Sequence, residues 1–427
     1  MPASVVSRPF TLSSEAVHRG DRVSPAFTPP GGTVAAMPLR SPWIRWAQFE
    51  PYRKGPMREG AFDEHLHDDR TAARFGIALG ICFTICFATG LLSHGVQRGP
   101  EWFREAWPST GISIYRVTQG LHVLTGVAAI PLLAIKLWVV YPRLFSWPPA
   151  RNLTHAIERL SLLALVGGAI FQLATGVMNV FYWYAFPFTF PNAHYAGAWI
   201  AMGGLVIHVG AKIVVARRAL AAPASTAEEG RLSRRGLILA AAGGSGTLVL
   251  LTAGSTLSPL SRLAILAPRR AGVGPTGVPI NVVSTAAIRA AAKSPDYRLT
   301  VTGRVKHPLS LTRDELAALP RSSEELPISC VEGWSTNAHW SGVRIRDLLD
   351  RAGAPPDAVV RVVSLQHSGA SSGSLLYPNH HRDPRTLLAL ELDGQELHPD
   401  HGWPVRLIAP NRPGTQQTKW VSRIEVV

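Results

Sequence analysis

The sequence predicts a membrane α-helical bundle with five transmembrane helices, four of them forming a core, followed by a soluble α+β domain. Across 427 residues, 46% are hydrophobic and only 17% are charged, which is too apolar for an ordinary soluble protein. Five apolar stretches are each close to the roughly 20 residues needed to cross a bilayer. After about residue 276, short alternating segments mix with short helical ones. The length allows two or three domains.

The first 65 residues are rich in Pro, Ser, Gly and Arg and show no sustained hydrophobic period. This composition predicts a disordered tail at residues 1–65. The segment also lacks the apolar core of a secretory signal peptide, so no N-terminal export signal is expected there.

The apolar stretches define a transmembrane domain over residues 66–220 and a fifth helix with its linker over 221–275. The fifth stretch is rich in Gly and Ala and is the least hydrophobic in character. The five predicted spans are 75–92, 112–141, 160–184, 195–215 and 236–257.

Basic residues are distributed unevenly between the loops that join these spans. Arginines precede the first span and fill the loops after the second and fourth spans, whereas the loop after the third span has neither Lys nor Arg. Because cytoplasmic loops collect Lys and Arg, the N-terminus is predicted to be cytoplasmic and the C-terminal domain extracytoplasmic. The same pattern accounts for much of the net charge of +15 without a nucleic-acid partner.

A pair of arginines, Arg234 and Arg235, stands directly before the fifth span in "RLSRRGLILAAAGGSG". Ser-Arg-Arg followed by an apolar run resembles a twin-arginine export signal, which would remain as a membrane anchor. Ordinary positive flanking of a membrane span explains the pair equally well.

Four histidines lie in or beside the predicted spans, where ionisable side chains are costly and therefore indicate function. His94 lies at the outer end of the first span, His122 in the second, and His194 and His208 in the fourth. The last two are fourteen residues apart, nearly four helical turns, so both rings point to one side of the helix. Neutral imidazole is a haem ligand, so one helix could serve two stacked haems. Helix-packing or interfacial histidines are the alternative.

Residues 70–220, with these histidines, resemble the bacterial b-type cytochromes of the b561 and nickel-hydrogenase kind. The resemblance implies b haem, one or two, and a location in the bacterial plasma membrane. That family often has another ligand near the cytoplasmic end of its first helix, where this chain reads "RTAARFG" without His. By depth, His94 faces His194 and His122 faces His208. By family analogy, His122 faces His194 instead.

Cys330, in "LPISCVEGWSTNAHWSGVRIRDLL", is the one cysteine outside an apolar span. Its type alone leaves four interpretations: a small buried hydrophobe, a nucleophile, a metal ligand, or an intermolecular disulfide. A Cys-His nucleophile is possible because His339 follows nine residues later. A structural zinc site needs more Cys and His ligands than lie nearby.

The same stretch, together with "HGWPVRLIAPNRPGTQQTKW", resembles the molybdenum-cofactor domain of the sulfite oxidase family, particularly its methionine-sulfoxide reductase type. The resemblance covers residues 276–427 and implies that the Cys330 thiolate binds molybdenum beside a molybdopterin. It further implies cofactor contacts from Asn281, Ser364, His401, Arg406 and Lys419.

The resemblance implies a membrane-bound oxidoreductase in which b haem and a quinone or quinol, or another membrane electron carrier, exchange electrons with an extracytoplasmic molybdenum centre. Oxygen-atom transfer on a small-molecule or protein-sulfoxide-type substrate is expected, and either direction of electron flow is possible. Glu332 would repel an anion, which disfavours sulfite, and Trp334 would form an apolar wall. The rivals are a cofactor-free membrane-anchored binding protein and a Cys-dependent hydrolase-like domain.

Overall fold

The computed structural model describes residues 66–111, 113–144, 152–223, 233–369 and 372–427. The predicted tail at 1–65 therefore lies outside the described residues. Arg151 and Arg231, two of the arginines in the loops after the second and fourth spans, also lie outside them. Within the described ranges, five helices are long and apolar enough to cross a membrane. They are α1 (Asp69–Arg98), α3 (Ile114–Leu144), α4 (Leu153–Val180), α5 (Phe190–Ala221) and α6 (Arg234–Ala253), with the short α2 (Glu101–Ala106) following α1.

Side-chain caps fix where several of these helices begin. Asp68 accepts a hydrogen bond from the backbone N–H of Thr71 at 2.6 Å at the start of α1. The side chain of Ser233, directly before the arginine pair, likewise accepts a backbone hydrogen bond at the start of α6. Arg234 of that pair also forms an ion pair with Asp68 at 2.7 Å, which links the first and fifth of the long apolar helices. The twin-arginine function remains a prediction.

The helices pack as pairs, α1 with α3 and α4 with α5, while α6 lies along α3. Four helices therefore surround a common interior, as the sequence predicts for the core. Helix α4 ends at Val180, earlier than the predicted span, so the aromatic residues that follow it form a loop instead of a helical turn. We call residues 181–189, between α4 and α5, the aromatic loop.

The C-terminal part is an α+β domain with two five-stranded sheets, as expected from its mixed strands and helices. The first sheet has the order β2-β1-β10-β5-β6, in which β1 and β10 are parallel. The second has the order β3-β4-β7-β8, with β9 paired to β7. The strands are β1 (Leu299–Gly303), β2 (Leu309–Leu311), β3 (Ser322–Ser329), β4 (Ser335–Arg344), β5 (Val360–Ser364), β6 (Gly373–Leu376), β7 (Leu387–Leu392), β8 (Gln395–Glu396), β9 (Arg406–Ile408) and β10 (Val421–Val426).

Short helices connect these strands and follow local sequence signals. They are α7 (Ala286–Lys293), α8 (Arg313–Ala317), α9 (Ile345–Ala352) and α10 (Pro378–His381). Thr312 and Glu315 form a reciprocal capping box at α8, and Gly353 ends α9 in the left-handed conformation that favours glycine. Aliphatic side chains of β1, β5, β10 and α9 form the main core of this domain.

Candidate functional site

Cys330 is fixed by a tight hairpin loop between β3 and β4. Ser329 and Ser335 are paired across the hairpin, and their hydroxyls lie 2.8 Å apart. Inside the loop, the backbone N–H of Cys330 donates to the carbonyl of Trp334 at 2.8 Å. Gly333 adopts φ +93°, and a Cβ at this position would collide with Val123 of α3. The loop therefore needs glycine both for its conformation and for its contact with the membrane helix.

The Cys330 thiol is buried and lies in a small polar cluster. Asn281 donates from Nδ2 to the Cys330 Sγ at 2.9 Å and to Glu332 Oε2 at 2.6 Å. Trp334 completes the cluster by donating from Nε1 to Asn281 Oδ1 at 3.2 Å. Burial raises the pKa of the Cys330 thiol well above its usual range, and the neighbouring Glu332 adds to the rise. A bare thiolate is therefore costly here, and a bound metal is what would stabilise it.

Two cations, Arg406 and Lys419, line the same cavity as Cys330. Arg406 is 2% exposed, lies over the ring of Trp340 at 5.4 Å, and donates to the backbone carbonyl of His401 at 2.9 Å. Lys419 donates from Nζ to the carbonyls of Val282 and Asp400 at 2.8 and 2.6 Å. Burial lowers the pKa of the Arg406 guanidinium and lowers that of Lys419 to about 7.

Neither cation forms a salt bridge with a carboxylate among the described residues, although the Asp400 carboxylate attracts Lys419 from beyond ion-pair distance. A phosphate or another anion placed between them would supply the missing charge, and a charge-assisted hydrogen bond is roughly twice as strong as a neutral one. The cavity beside Cys330 thus fits a cofactor that carries its own anionic group. Within the described ranges, no cluster of three or more His, Cys, Asp or Glu is positioned to hold a metal. A metal at Cys330 would therefore take most of its ligands from such a cofactor.

Two residues predicted as cofactor contacts have side chains that are engaged elsewhere. The ring of His401 bonds the carbonyl of Pro275 through Nε2 at 2.8 Å, and burial lowers its pKa to about 4. Ser364 donates to the backbone carbonyl of Lys419 at 2.7 Å. Neither lines the cavity around Cys330. The structure instead places both next to the two cations, where they hold the backbone and the Arg406 side chain in position.

The long apolar helices bring the rings of His122 of α3 and His194 of α5 close together. Their ring centroids are 6.2 Å apart and their planes are inclined at 69°. This separation is roughly the sum of two ring radii and two metal–imidazole bonds of about 2.0–2.1 Å. Among the described residues, His122 and His194, paired by family analogy, are in ring contact, and neither pair of the depth-based alternative is. The role of these histidines as haem ligands stays a prediction.

The tautomers of both rings follow from their hydrogen bonds. His122 Nδ1 lies 2.9 Å from the carbonyl of Cys86, which can only accept, so Nδ1 carries the proton. Thr89 also contacts this nitrogen at 3.2 Å, and Thr175 contacts His194 Nδ1 at 3.0 Å. Each threonine hydroxyl already donates to the carbonyl one turn earlier, so its oxygen is left to accept. Both rings then present an unprotonated Nε2, the form that ligates a metal.

The other two predicted histidines differ from this pair. His94 stacks on Tyr195, with centroids 3.9 Å apart and planes 11° from parallel, and lines the cavity. His208 does not line the cavity and lies in the field of Lys136, Lys212 and Glu158. The structure therefore assembles His122 and His194 as a pair and leaves His94 and His208 without an opposing histidine among the described residues.

One cavity of about 730 Å³ joins the thiol and the paired histidines. Its upper wall is built by Asn281, Cys330, Glu332 and Lys419, and its lower wall by the membrane helices around His122 and His194. Most of the lower wall is apolar. The sequence gives no sign of this continuity, because the two groups are more than one hundred residues apart along the chain.

Two further side chains at the site, Arg269 and Gln119, were not predicted from the sequence. Arg269 lies 3.8 Å from Glu332 and 4.9 Å over the ring of Tyr182 in the aromatic loop. Burial raises the pKa of Glu332 to about 7, an effect that Arg269 opposes. Gln119 of α3 donates to the carbonyl of Val331 at 2.6 Å. An isolated Arg or Gln carries no spacing signal, so neither could have been found without the fold.

Residues 285–427 match the family model described as "Oxidoreductase molybdopterin binding domain". Among similar proteins, the mitochondrial sulfite oxidase of Drosophila melanogaster is 33% identical over 156 residues, 31% of this chain and 27% of that protein. A protein of Azospira oryzae, YedZ1, a protein-methionine-sulfoxide reductase subunit by name, is 34% identical over 30% of this chain and 48% of its own length. YuiH of Bacillus subtilis, named as an oxidoreductase, is 30% identical over 30% of this chain and 64% of its own length.

Among solved structures, the sulfane dehydrogenase SoxCD of Paracoccus pantotrophus aligns with 37% of this chain and 44% of its own, at 23% identity and a TM-score of 0.31. The aligned part spans between about a quarter and two thirds of the three relatives named above. The family match begins after the apolar helices, so their resemblance to b-type cytochromes remains a prediction. Residues 285–427 of this chain are an oxidoreductase molybdopterin-binding domain, with sulfite oxidases and a methionine-sulfoxide-reductase-type protein among its relatives.

Proposed function

We propose that this chain is a plasma-membrane oxidoreductase that passes electrons from a membrane quinol, through b haem, to a molybdenum centre at Cys330. There it removes an oxygen atom from a substrate. The observation that carries the proposal is the single cavity that contains both the Cys330 thiol and the His122–His194 pair. When two redox groups open on one cavity, electrons can pass between them without a diffusing carrier.

Molybdopterin would be held by Cys330 through the metal and by Arg406 and Lys419 through its phosphate. When bound, it supplies two-electron oxygen-atom transfer, chemistry that no side chain provides. Asn281 holds the sulfur with its amide hydrogen and keeps Glu332 turned toward the cluster. These roles rest on the missing counter-charge of two buried cations and on a thiol that is costly to ionise alone.

A b haem between His122 and His194 is supported by their separation and by the tautomers that Thr89 and Thr175 impose. The haem would supply one-electron steps to and from the membrane. His94 and His208 are less well supported as ligands, because each lacks an opposing histidine among the described residues. One haem is therefore proposed at the His122–His194 pair.

Reduction of the substrate, rather than oxidation, is the proposed direction. The overall reaction consumes two electrons and two protons, breaks the bond between the substrate's central atom and its oxygen, and releases that oxygen as water. Quinol is the proposed reductant. Glu332 Oε2 lies 2.6 Å from Asn281 Nδ2 inside the cavity. An anionic substrate such as sulfite would therefore lie close to the Glu332 carboxyl group, which repels an anion when it is ionised. This supports a neutral, oxygen-bearing substrate.

The hydrolase alternative is weaker on physical grounds. A nucleophilic cysteine needs a lowered pKa, an electropositive setting and some exposure. Here burial and Glu332 raise the pKa of the Cys330 thiol, and the thiol is 6% exposed. His339 lies on β4 with an exposed side chain. A metal-bound thiolate accounts for this environment better than a nucleophile does.

The test is a pair of variants that should separate the two cofactors. Cys330→Ser should lose molybdenum-dependent activity and keep the haem spectrum, whereas His194→Ala should lose haem and keep molybdenum and pterin. Cys82→Ser and His339→Ala are matched controls that should retain both. Molybdenum by mass spectrometry, pterin by fluorescence and a reduced-minus-oxidised spectrum are the readouts. A full Soret band in His194→Ala would refute the haem assignment.

A further inference from the structure

We infer that the substrate reduced at Cys330 is a small, uncharged molecule that enters sideways at the aromatic loop, and that oxidised residues of folded proteins are excluded. The inference rests on the proposed function and narrows its substrate class. It comes from how the molybdopterin-binding domain sits on the outer ends of the membrane helices. Where the domain meets these helix ends, hydrogen bonds between the two parts close the approach to Cys330.

The loop that carries Cys330 is pressed against α3 and the segment after α6. Gln119 Nε2 donates to the carbonyl of Val331 at 2.6 Å, and the hydroxyl of Thr256 donates to the carbonyl of Gly333 at 2.5 Å. Two residues further on, Ser335 donates from its backbone N–H to the carbonyl of Ser255 at 2.8 Å. These bonds are to backbone groups on both sides of the loop. A protein substrate would have to break them to reach the thiol.

A second set of contacts fastens the domain to the helix ends around Asn411. Its backbone carbonyl accepts from Trp107 Nε1 at 2.8 Å, and its side-chain oxygen accepts from the backbone N–H of Tyr115 at 2.9 Å. Its side-chain nitrogen donates to the carbonyl of Pro108 at 2.7 Å. Asn411 adopts φ +57°, a conformation that Asn tolerates better than most residues. One residue thus anchors the two parts at three points, two of them through its side chain.

The inferred entrance lies at the aromatic loop. Several residues that line the cavity are also exposed at the protein surface. They lie in the aromatic loop and on the last turn of α4, and they are Val177, Phe181, Tyr182, Tyr184 and Phe188. The loop "FYWYAFPFT" contains no charged residue. Amphipathic aromatic rings are typical of the membrane–water interface. A substrate passing this mouth would therefore meet aromatic and apolar surface.

The mouth is connected to the Cys330 loop by one chain of contacts. Tyr182 is held at φ +56°, and a bulky residue in this conformation points to a local constraint. Its ring packs under the Arg269 guanidinium at 4.9 Å, and Arg269 reaches Glu332 at 3.8 Å. The aromatic loop is thereby fixed beside the thiol. An entrance lined by aromatic rings favours molecules that are small and uncharged.

The chemistry that fits is the reduction of a neutral sulfoxide or N-oxide. A sulfoxide takes up two electrons and two protons, its S–O bond breaks, and a sulfide and one water leave. The electrons come from quinol, as in the proposed function. Neither the substrate nor the sulfide product carries charge, so both can pass along the apolar surface that lines the cavity.

The decisive experiment compares two sulfoxides with the full-length protein in nanodiscs and a reduced quinol analogue as donor. Methyl phenyl sulfoxide represents the small substrate, and methionine-oxidised calmodulin represents the protein-bound sulfoxide. We expect methyl phenyl sulfoxide to be reduced, with a kcat/KM at least about one hundredfold above that for the oxidised protein. Comparable values would overturn the inference and leave the proposed function standing. Reduction of neither, with Cys330→Ser indistinguishable from wild type, would overturn the proposed function itself.

The entrance is tested by a pair of matched variants. Val177→Trp narrows the mouth, because Val177 lines the cavity and is 36% exposed. Val206→Trp is the control, because Val206 is 64% exposed and does not line the cavity. Val177→Trp should raise KM for methyl phenyl sulfoxide by about tenfold or more with an unchanged Soret band. Equal KM values in the two variants would refute entry at the aromatic loop.

Discussion

Lys419→Met should have opposite effects on the protein with and without its cofactor. In the cofactor-free protein, Lys419 is a buried cation whose pKa falls from 10.5 to about 7. At about 1.36 kcal/mol per pKa unit, keeping it charged costs about 4 kcal/mol at neutral pH. Because the folded-state pKa is depressed, this cost is fully present below about pH 7 and disappears as the pH rises toward 10.5.

The substitution also removes hydrogen bonds to the carbonyls of Val282 and Asp400, which together contribute about 1–2 kcal/mol. Cofactor-free Lys419→Met should therefore gain about 2–3 kcal/mol. Its apparent Tm should rise by about 4–12 °C, at roughly 2–4 °C per kcal/mol. With cofactor present, the loss of a charge-assisted bond of about 1.5–3 kcal/mol should weaken retention of the pterin by about ten- to hundredfold.

The assay is thermal unfolding of the full-length protein from cells that do or do not make molybdopterin, with pterin content measured after extended dialysis. Lys293→Met is the control, because Lys293 is exposed on α7 and its replacement should change stability by less than about 0.5 kcal/mol. A lower Tm in cofactor-free Lys419→Met, or pterin retention equal to wild type, would refute the reasoning about the buried cation.

Other consequences of the structure can be measured in the same preparation. Thr175→Val should leave the His194 ring without the oxygen that fixes its tautomer, shifting the haem midpoint potential or lowering haem occupancy, while an unchanged potential and spectrum would remove Thr175 from the account. Asn411→Gly keeps the positive φ but removes two side-chain bonds, so the domain contact should weaken by about 1–3 kcal/mol and limited proteolysis after residue 257 should accelerate. Growth on tungstate should abolish sulfoxide reduction without affecting the Soret band, because tungsten replaces the metal and not the haem.

The membrane helices were predictable because length and hydropathy are local properties of the chain. Each of the five predicted spans corresponds to a helix, and the alternating and short helical segments predicted after about residue 276 occur as strands and short helices. The ends were less predictable. Helix α4 stops at Val180 because the chain turns into the left-handed conformation at Tyr182, a residue that gives no stop signal of its own.

The site was predictable only where a motif carried it. The resemblance singled out Cys330, Arg406 and Lys419 in the two quoted stretches and Asn281 outside them, and all four line one cavity. His401 belongs to the second stretch and Ser364 to neither, and both side chains bond backbone carbonyls, a distinction that spacing cannot make. The choice between two histidine pairings depended on how α3 and α5 face each other, which no local pattern specifies.

The central claim is that one chain connects membrane imidazoles to a thiolate-bound metal, and stopped-flow spectroscopy tests it most directly. Full-length protein is reduced anaerobically, mixed with methyl phenyl sulfoxide, and followed at the Soret band. We expect the haem of the wild-type protein to be reoxidised and the haem of Cys330→Ser to stay reduced. Reoxidation of the Cys330→Ser protein at the wild-type rate would contradict it.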